Sequence, residues 1–266
     1  MRVSEPDESA VPCVPGAPSW VSLLAHDPAA LCRFYGDLLG WEFEYAEEDR
    51  WGPYAYALVE GVRVAGVGSL PEEWRSAPTW TVFFGVEDIE GAVQRVREHL
   101  GTVGIGPVDF AGGRVAIAVD PGNAVFALWQ GKPSPMRALR MPGAPAWMEL
   151  STDAFAAALF YGGVLDWASQ DHHLLDASWE HERVVLRVGG RRIAALGTAE
   201  ASVAAVPERP VWRVYFSVDD AARAAERAQF LGATLIAPAA PTPYGDVARL
   251  RDPEGALFFL MSAGSS

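Results

Sequence analysis

Four side chains capable of proton transfer or metal binding lie close together in the second half of the sequence. The stretch DHHLLDASWEHER contains His172, His173, His181 and Glu182. Imidazole and carboxylate groups bind metals and exchange protons near neutral pH, so His172 and His181 are candidate catalytic residues. The alternative, which we favour, is an exposed polar hairpin, because short motif matches often mislead.

Glu149 is a third candidate catalytic residue. Period-two alternation along a predicted strand puts Glu149 on the same face as Trp147 and Ser151. A carboxylate on an apolar wall can act as an acid, a base or a counter-charge for a cationic ligand. Alternatively, Glu149 forms a structural ion pair with Arg213 on a neighbouring strand. Both interpretations stay open.

The elements that must position these residues occur twice, because the chain contains two copies of one domain. PGAPSW at 15–20 returns as PGAPAW at 142–147, and FYGDLLGW at 34–41 returns as FYGGVLDW at 160–167. A repeat this long indicates two globular halves rather than a solenoid of short units. We predict a first half over 15–130, a linker over 131–145 and a second half over 146–262. Further matches keep one constant separation: Pro78/Pro210, Trp80/Trp212, Asp88/Asp220, Asp120/Asp252 and Leu128/Leu260.

Each half is predicted to contain two units of strand, helix and three further strands. The leading strands are rich in Trp, Val, Leu and Phe, and each is followed by an aspartate that can cap a helix. The predicted leading strands are Trp20–Ala25, Thr79–Val86, Trp147–Thr152 and Val211–Val218. The predicted helices are Pro28–Leu39, Ile89–Leu100, Ala154–Leu165 and Ala221–Leu231.

The composition is that of an acidic globular protein. A net charge of -13 and 50% hydrophobic residues argue against nucleic acid or a membrane surface as a partner. The two cysteines, Cys13 and Cys32, are too few for a disulfide framework. No run of residues is apolar enough for a signal peptide or a membrane span, and we predict a cytoplasmic protein.

These patterns together resemble a known family. The strand that begins with Trp, the helix containing FYGDLLGW and the closing DPGNAVFALW or DPEGALFFLM are similar to the vicinal oxygen chelate superfamily of glyoxalase I, bleomycin-resistance proteins and extradiol dioxygenases. The resemblance spans residues 15–262. It implies an α+β fold of four βαβββ modules forming two similar halves, each with curved mixed sheets that enclose a cup and with helices outside.

The resemblance also implies where metal ligands would lie, and the residue types there do not suit a metal. Family ligands come seven residues before the helix-capping acid, which gives Trp20, Thr81 and Arg213, and seven residues after the Asp of the DP motif, which gives Ala127 and Phe259. A divalent ion needs several nitrogen or oxygen ligands at one point. We therefore expect no metal and no cofactor.

Aromatic side chains occupy several positions where the resemblance places the cup. They favour a flat, apolar ligand, although they can equally fill a cup that is no longer used. The positions that differ between the halves are the most informative: Ser22/Glu149, Thr81/Arg213 and Ala127/Phe259. Because charges orient a ligand more strongly than hydroxyls, we expect the second half to carry the polar part of recognition. The predicted ligand-binding residues are Trp20, Ser22, Thr81, Phe83, Ala127, Trp147, Arg213, Tyr215 and Phe259.

Three functional hypotheses follow. The first is metal-independent binding of a small aromatic molecule, such as an antibiotic or polyketide, for sequestration, resistance or handling during biosynthesis. The second is a cofactor-free enzyme of natural-product biosynthesis that performs proton transfer, cyclisation or hydroxylation. The third is an inactive partner of a biosynthetic enzyme. The fused copies can satisfy internally a pairing that single-copy relatives obtain by dimerising, so the protein is expected to be a monomer or homodimer.

We predict that the purified protein carries no stoichiometric transition metal, because hydrocarbon and weakly ligating side chains occupy the family ligand positions. Elemental analysis of the native protein checks this. About one equivalent of Zn, Ni, Fe or Mn per chain, lost when His172, His173 and His181 are replaced by Ala, would contradict the prediction.

Overall fold

The fold is taken from a computed structural model that describes residues 14–46, 52–70, 78–110, 112–131, 141–169, 174–197 and 210–263. His172 and His173 lie outside the described residues, as does most of the predicted linker. Within the described ranges no helix has the length and hydrophobicity needed to cross a bilayer.

The first half contains eight strands and two helices among its described residues. Its first module comprises β1 (Pro18–Ala25), α1 (Pro28–Leu39), β2 (Glu42–Tyr45), β3 (Tyr54–Val59) and β4 (Val62–Ser69). Its second module comprises β5 (Trp80–Gly85), α2 (Ile89–Glu98), β6 (Thr102–Phe110), β7 (Gly113–Val119) and β8 (Val125–Gln130).

The second half repeats this order. Its first module comprises β9 (Pro145–Leu150), α3 (Ala154–Val164), β10 (Leu175–Glu180), β11 (Arg183–Val188) and β12 (Arg191–Leu196), with a short 3-10 turn at Trp167–Ser169. Its second module comprises β13 (Trp212–Ser217), α4 (Ala221–Phe230), β14 (Thr234–Thr242), β15 (Gly245–Arg251) and β16 (Leu257–Ser262).

Each helix is preceded by a capping aspartate, as the sequence predicts. The side chains of Asp27, Asp88, Asp153 and Asp220 accept hydrogen bonds of 2.9, 3.1, 2.7 and 2.9 Å from backbone N–H groups in the first turn of α1, α2, α3 and α4. These bonds satisfy amide groups that would otherwise lack a partner. The helix boundaries agree with the predicted ones to within two residues.

Each half forms one mixed sheet of eight strands, in the orders β2-β3-β4-β1-β5-β8-β7-β6 and β10-β11-β12-β9-β13-β16-β15-β14. In the first sheet β1 and β5 are antiparallel at the centre, and each is parallel to the last strand of its own module. The predicted α+β fold of four βαβββ modules in two similar halves is confirmed.

The two faces of each sheet have different environments because side chains alternate along a strand. On β1 the side chains of Val21, Leu23 and Ala25 belong to a large core that the helices cover. Trp20 and Ser22 point to the opposite face, which we call the first cup. The corresponding face of the second sheet, which carries Trp147 and Glu149, is the second cup.

Reciprocal hydrogen bonds join the halves through the helix-covered core. Tyr35 on α1 donates to the Asp252 carboxylate at 2.9 Å, and Tyr161 on α3 donates to the Asp120 carboxylate at 3.0 Å. The indole N–H of Trp80 donates to the Tyr35 hydroxyl at 3.0 Å, and Trp212 serves Tyr161 in the same way at 2.9 Å. All of these side chains are buried, so each half completes the core of the other.

We predict that Asp252 makes stability fall as pH rises through weakly acidic values. Burial, opposed by hydrogen bonds from Tyr35 and two backbone N–H groups, raises the pKa of Asp252 from 3.8 to about 6. The folded state therefore binds this proton more tightly than the unfolded state does. The resulting stabilisation is complete below about pH 4 and is lost as pH rises through about 6, with a total of roughly 3 kcal/mol.

Urea unfolding of the wild type and Asp252→Asn at several pH values checks this. The stability difference, wild type minus variant, should decrease between about pH 4 and 6 and be constant above about pH 7. The other carboxylates cancel in this difference. Parallel stability curves would show that Asp252 does not titrate differently on folding.

Candidate functional site

The central strands bring the predicted ligand-binding residues of each half onto one face. In the first cup Trp20 lies opposite Phe83 and Ser22 lies opposite Thr81 across the β1–β5 pair. Ala127 on β8 is the register partner of Phe83. Trp20, Phe83 and Ala127 form part of one surface, because Trp20 packs against the buried cluster that contains Phe83 and Ala127.

The second cup repeats this register. Trp147 lies opposite Tyr215 and Glu149 lies opposite Arg213 across the β9–β13 pair. Phe259 on β16 is the register partner of Tyr215, and their rings stack with centroids 4.5 Å apart. Five of the nine predicted ligand-binding residues therefore lie in the first cup and four in the second.

The first cup encloses a cavity of about 300 Å³. Ser22, Thr81 and Phe83 line it, while Ala127 is fully buried in the wall beside it. The lining is mainly apolar, and its polar groups are hydroxyls. The lining residues are Ser22, Leu24, Gly52, Pro53, Tyr54, Gly68, Ser69, Thr81, Phe83, Ile105, Val108, Phe110, Val115 and Ile117.

Tyr54 is a lining residue that the sequence reasoning missed. Its ring lies flat on β4, where a Cβ at Gly66 or Gly68 would overlap the tyrosine side chain. The ring also meets Phe110 edge-on at 5.0 Å. Two glycines at alternate strand positions are a signal for such a close approach, and the stretch RVAGVGSL at 63–70 carried it.

Hydrogen bonds hold the Tyr54 hydroxyl at the wall of the cavity. The Trp20 indole N–H donates to it at 3.0 Å, and Ser22 Oγ lies 3.2 Å away. Ser22 also donates to the backbone oxygen of Gly66 at 3.3 Å. Burial raises the pKa of Tyr54 to about 12, so the hydroxyl stays protonated at neutral pH. The side chains that line the first cup in the described part of the chain are therefore uncharged.

The second cup contains an ion cluster around Glu149. Arg183 Nη2 lies 3.4 Å from one carboxylate oxygen and Arg213 Nη1 lies 3.8 Å from the other. The Tyr215 hydroxyl donates to Glu149 at 3.2 Å. All four side chains are buried. The interpretation of Glu149 as an ion-pair partner of Arg213 thus matches the observed contact, and Arg183 is a partner that the sequence reasoning missed.

Larger side chains occupy the second cup at positions that are small in the first. The predicted differences at Ser22/Glu149, Thr81/Arg213 and Ala127/Phe259 all lie on the cup faces. Strand register adds Ile117/Arg249, since these residues pair with Ala127 and Phe259 respectively. Tyr54 on β3 and Arg183 on β11 also occupy equivalent positions. Each lies two residues before the residue that is reached from Ser22 or Glu149 by following the register across two neighbouring strands.

Of the histidine candidates, the structure describes His181. His181 is exposed in the turn between β10 and β11, with a backbone φ of 56°. Glu182, beside it, is exposed as well. Among the described residues no group of three or more His, Cys, Asp and Glu side chains is arranged to hold a metal ion.

Comparison with known proteins shows that each half matches a glyoxalase-type family. Residues 17–128 match the family described as the Glyoxalase/Bleomycin resistance protein/Dioxygenase superfamily, and residues 147–261 match that described as Glyoxalase-like domain. The anthracycline biosynthesis protein DnrV of Streptomyces peucetius is 34% identical over 92% of each chain. DauV of Streptomyces sp. (strain C5), also named an anthracycline biosynthesis protein, is 32% identical over 92% of each chain.

A solved structure shows the same fold at lower sequence identity. The Mn(II)-bound glyoxalase from Novosphingobium aromaticivorans superposes with a TM-score of 0.58 and 18% identity, covering 95% of this chain and 83% of that one.

We predict that Glu149→Gln destabilises the protein by about 3 kcal/mol, because it leaves the guanidinium groups of Arg183 and Arg213 buried without a carboxylate. Ser22→Ala, the matched change in the first cup, should cost less than about 1.5 kcal/mol because it removes only neutral hydrogen bonds. Urea unfolding at pH 7 measures both. Equal effects of the two changes would contradict a stabilising role for the ion cluster.

Proposed function

Because the chain belongs to the glyoxalase/bleomycin resistance protein/dioxygenase superfamily, we propose that it binds a small planar aromatic molecule in the first cup, without a metal, as part of antibiotic biosynthesis. The observation that carries this proposal is the apolar cavity of about 300 Å³ in that cup. Its volume lies at the lower end of the range for pockets that bind drug-sized ligands.

The residues of the cups do not fit the divalent metal that the family implies. At the first cup's central positions the side chains are those of Trp20, Ser22, Thr81 and Ala127, which offer neither carboxylate nor imidazole. In the second cup the Glu149 carboxylate lies beside two arginines, whose charges repel a cation. No step of the proposed function therefore passes through a metal ion.

The first cup is suited to an aromatic ring that carries hydroxyl groups. Phe83, Phe110 and Tyr54 supply ring surfaces, and each ring contact contributes about 0.5–1.5 kcal/mol beyond area burial. Each of the two hydroxyl groups donates one hydrogen bond if Tyr54 donates to Ser22 and Ser22 donates to the backbone oxygen of Gly66. The oxygens of Tyr54 and Ser22 then keep free lone pairs. Such acceptors pair with phenolic donors on the ligand.

The names of the two relatives support a polyketide-like ligand. Both are described as anthracycline biosynthesis proteins, and each aligns with nearly the whole chain. An anthracycline core is a flat, hydroxylated aromatic system, which matches the chemistry of the first cup.

Binding is favoured over catalysis because the described part of the first cup offers no group poised for proton transfer. The hydroxyls of Ser22 and Thr81 do not titrate near neutral pH, and the pKa of Tyr54 is about 12. An efficient general base has a pKa near the working pH. We therefore propose sequestration or handling of the aromatic molecule rather than its chemical conversion.

We predict that Ala127→Phe abolishes or strongly weakens this binding. The substitution introduces at the first-cup wall the ring that Phe259 supplies in the second half, and it fills the space beside Phe83. With a dihydroxyanthraquinone as probe, the wild type should quench Trp fluorescence and bind with a Kd of micromolar order, and Ala127→Phe should weaken binding at least about tenfold.

The exposed variant Phe230→Ala is the control and should bind as the wild type does. The matching dimethoxyanthraquinone, which cannot donate a hydrogen bond, should bind about fivefold to tenfold more weakly. Unchanged affinity in a folded Ala127→Phe variant would show that the probe does not occupy the first cup. Chemical change of the bound probe would favour the enzymatic hypothesis.

A further inference from the structure

The second cup is covered by an aromatic side chain of the protein itself. Tyr244, in the turn between β14 and β15, stacks on Trp147 with centroids 5.3 Å apart and ring planes at 26°. Arg183 Nη1 donates to its hydroxyl at 3.1 Å. The first half has Gly112 at the same place in the turn between β6 and β7, and there the cup holds an open cavity.

Tyr244 is held less firmly than a core residue. Its side chain remains 38% exposed, and its hydroxyl contact with Arg183 is one hydrogen bond. A stacked ring pair and one hydrogen bond stabilise this position by an amount that a tightly bound ligand can replace. The ring shows what the cup accepts, namely an aromatic surface against Trp147 with an oxygen acceptor directed at Arg183.

The arginines beneath Tyr244 have more hydrogen-bond donors than the neighbouring acceptors satisfy. Nε and Nη2 of both Arg183 and Arg213, and Nε of Arg249, are buried without a hydrogen-bond partner. Arg213 is 2% exposed and Arg183 is 9% exposed. The distances of 3.4 and 3.8 Å to Glu149 exceed the usual length of a charge-assisted hydrogen bond. Buried donors of this kind require an explanation.

The charge of this region is also unbalanced. Among the described residues, Glu149 is the carboxylate within ion-pair distance of Arg183 and Arg213, and Arg249 takes part in no ion pair. Burial, together with the charges of Arg213 and Arg251, lowers the pKa of Arg249. The first cup has the neutral Tyr54, Thr81 and Ile117 at the equivalent positions, so these three positive charges distinguish the second cup from the first.

We propose that the second cup is a separate binding site for the carboxylate of a small aromatic acid. The ligand ring takes the place of Tyr244 on Trp147, and the carboxylate accepts hydrogen bonds from the Nε and Nη2 groups of Arg213 and Arg183 that lack a hydrogen-bond partner. A planar carboxylate matches the paired N–H geometry of arginine. Tyr244 is the intrinsic occupant that moves out when the acid binds. This site does not depend on the ligand of the first cup.

Calorimetric titration with benzoate at low ionic strength tests the proposal. Tyr244→Gly, which copies Gly112 of the first half, should bind benzoate about tenfold more tightly than the wild type because no intrinsic ring competes. Arg213→Met should bind it at least about tenfold more weakly. Acetate, which lacks the ring, and benzyl alcohol, which lacks the charge, should each bind far more weakly than benzoate.

Ala127→Phe serves as the matched control, because it fills the first cup and should leave benzoate binding unchanged. Arg249→Met removes another positive charge of the second cup and should also weaken benzoate binding, so it replaces Arg213→Met if that variant does not fold. Absence of benzoate binding in both the wild type and Tyr244→Gly would overturn the proposal. Binding that is lost in Ala127→Phe but kept in the arginine variants would also overturn it, since the acid would then occupy the first cup.

Discussion

The buried contact between the two halves is the constraint on which the rest of the structure depends. Each sheet has one face covered by helices, and the apolar side chains of that face form one continuous core across both halves. The tyrosines Tyr35 and Tyr161 cross this core to reach the aspartates of the opposite half. A buried carboxylate is costly unless it is hydrogen-bonded, so these bonds set how the halves meet.

In this arrangement the helix-covered faces of the sheets stabilise the fold, whereas the residues of the cup faces are free to differ between the halves. Residues that recur in both copies, such as Trp80 and Trp212, bond the paired tyrosines and are fully or almost fully buried. The residues that differ lie on the other side of the same strands. A substitution in a cup does not disturb the core directly, because alternate side chains of a strand point to opposite faces.

The two cups show what such divergence produces. In the first, Ser22, Thr81 and Ala127 leave room for a cavity whose described lining is neutral, with hydroxyls as the polar side-chain groups. In the second, larger and charged residues fill the equivalent positions, and Tyr244 covers them. Charged side chains stay in a buried site only when other groups compensate them, so the loosely paired arginines dominate the chemistry of the second cup. One scaffold thus presents two chemically different surfaces.

The sequence by itself determined the local elements and the positions of divergence. Strand alternation and aspartate caps act over a few residues, and the internal repeat is visible as direct sequence identity. The helices and modules were therefore predictable, and so were the divergent pairs Ser22/Glu149, Thr81/Arg213 and Ala127/Phe259. The tertiary structure decided which further residues lie in the cups beside these pairs. Tyr54, Arg183 and Tyr244 enter the cups through strand register and hairpin turns, and the open cavity reflects side-chain volumes summed over several strands that are distant in sequence.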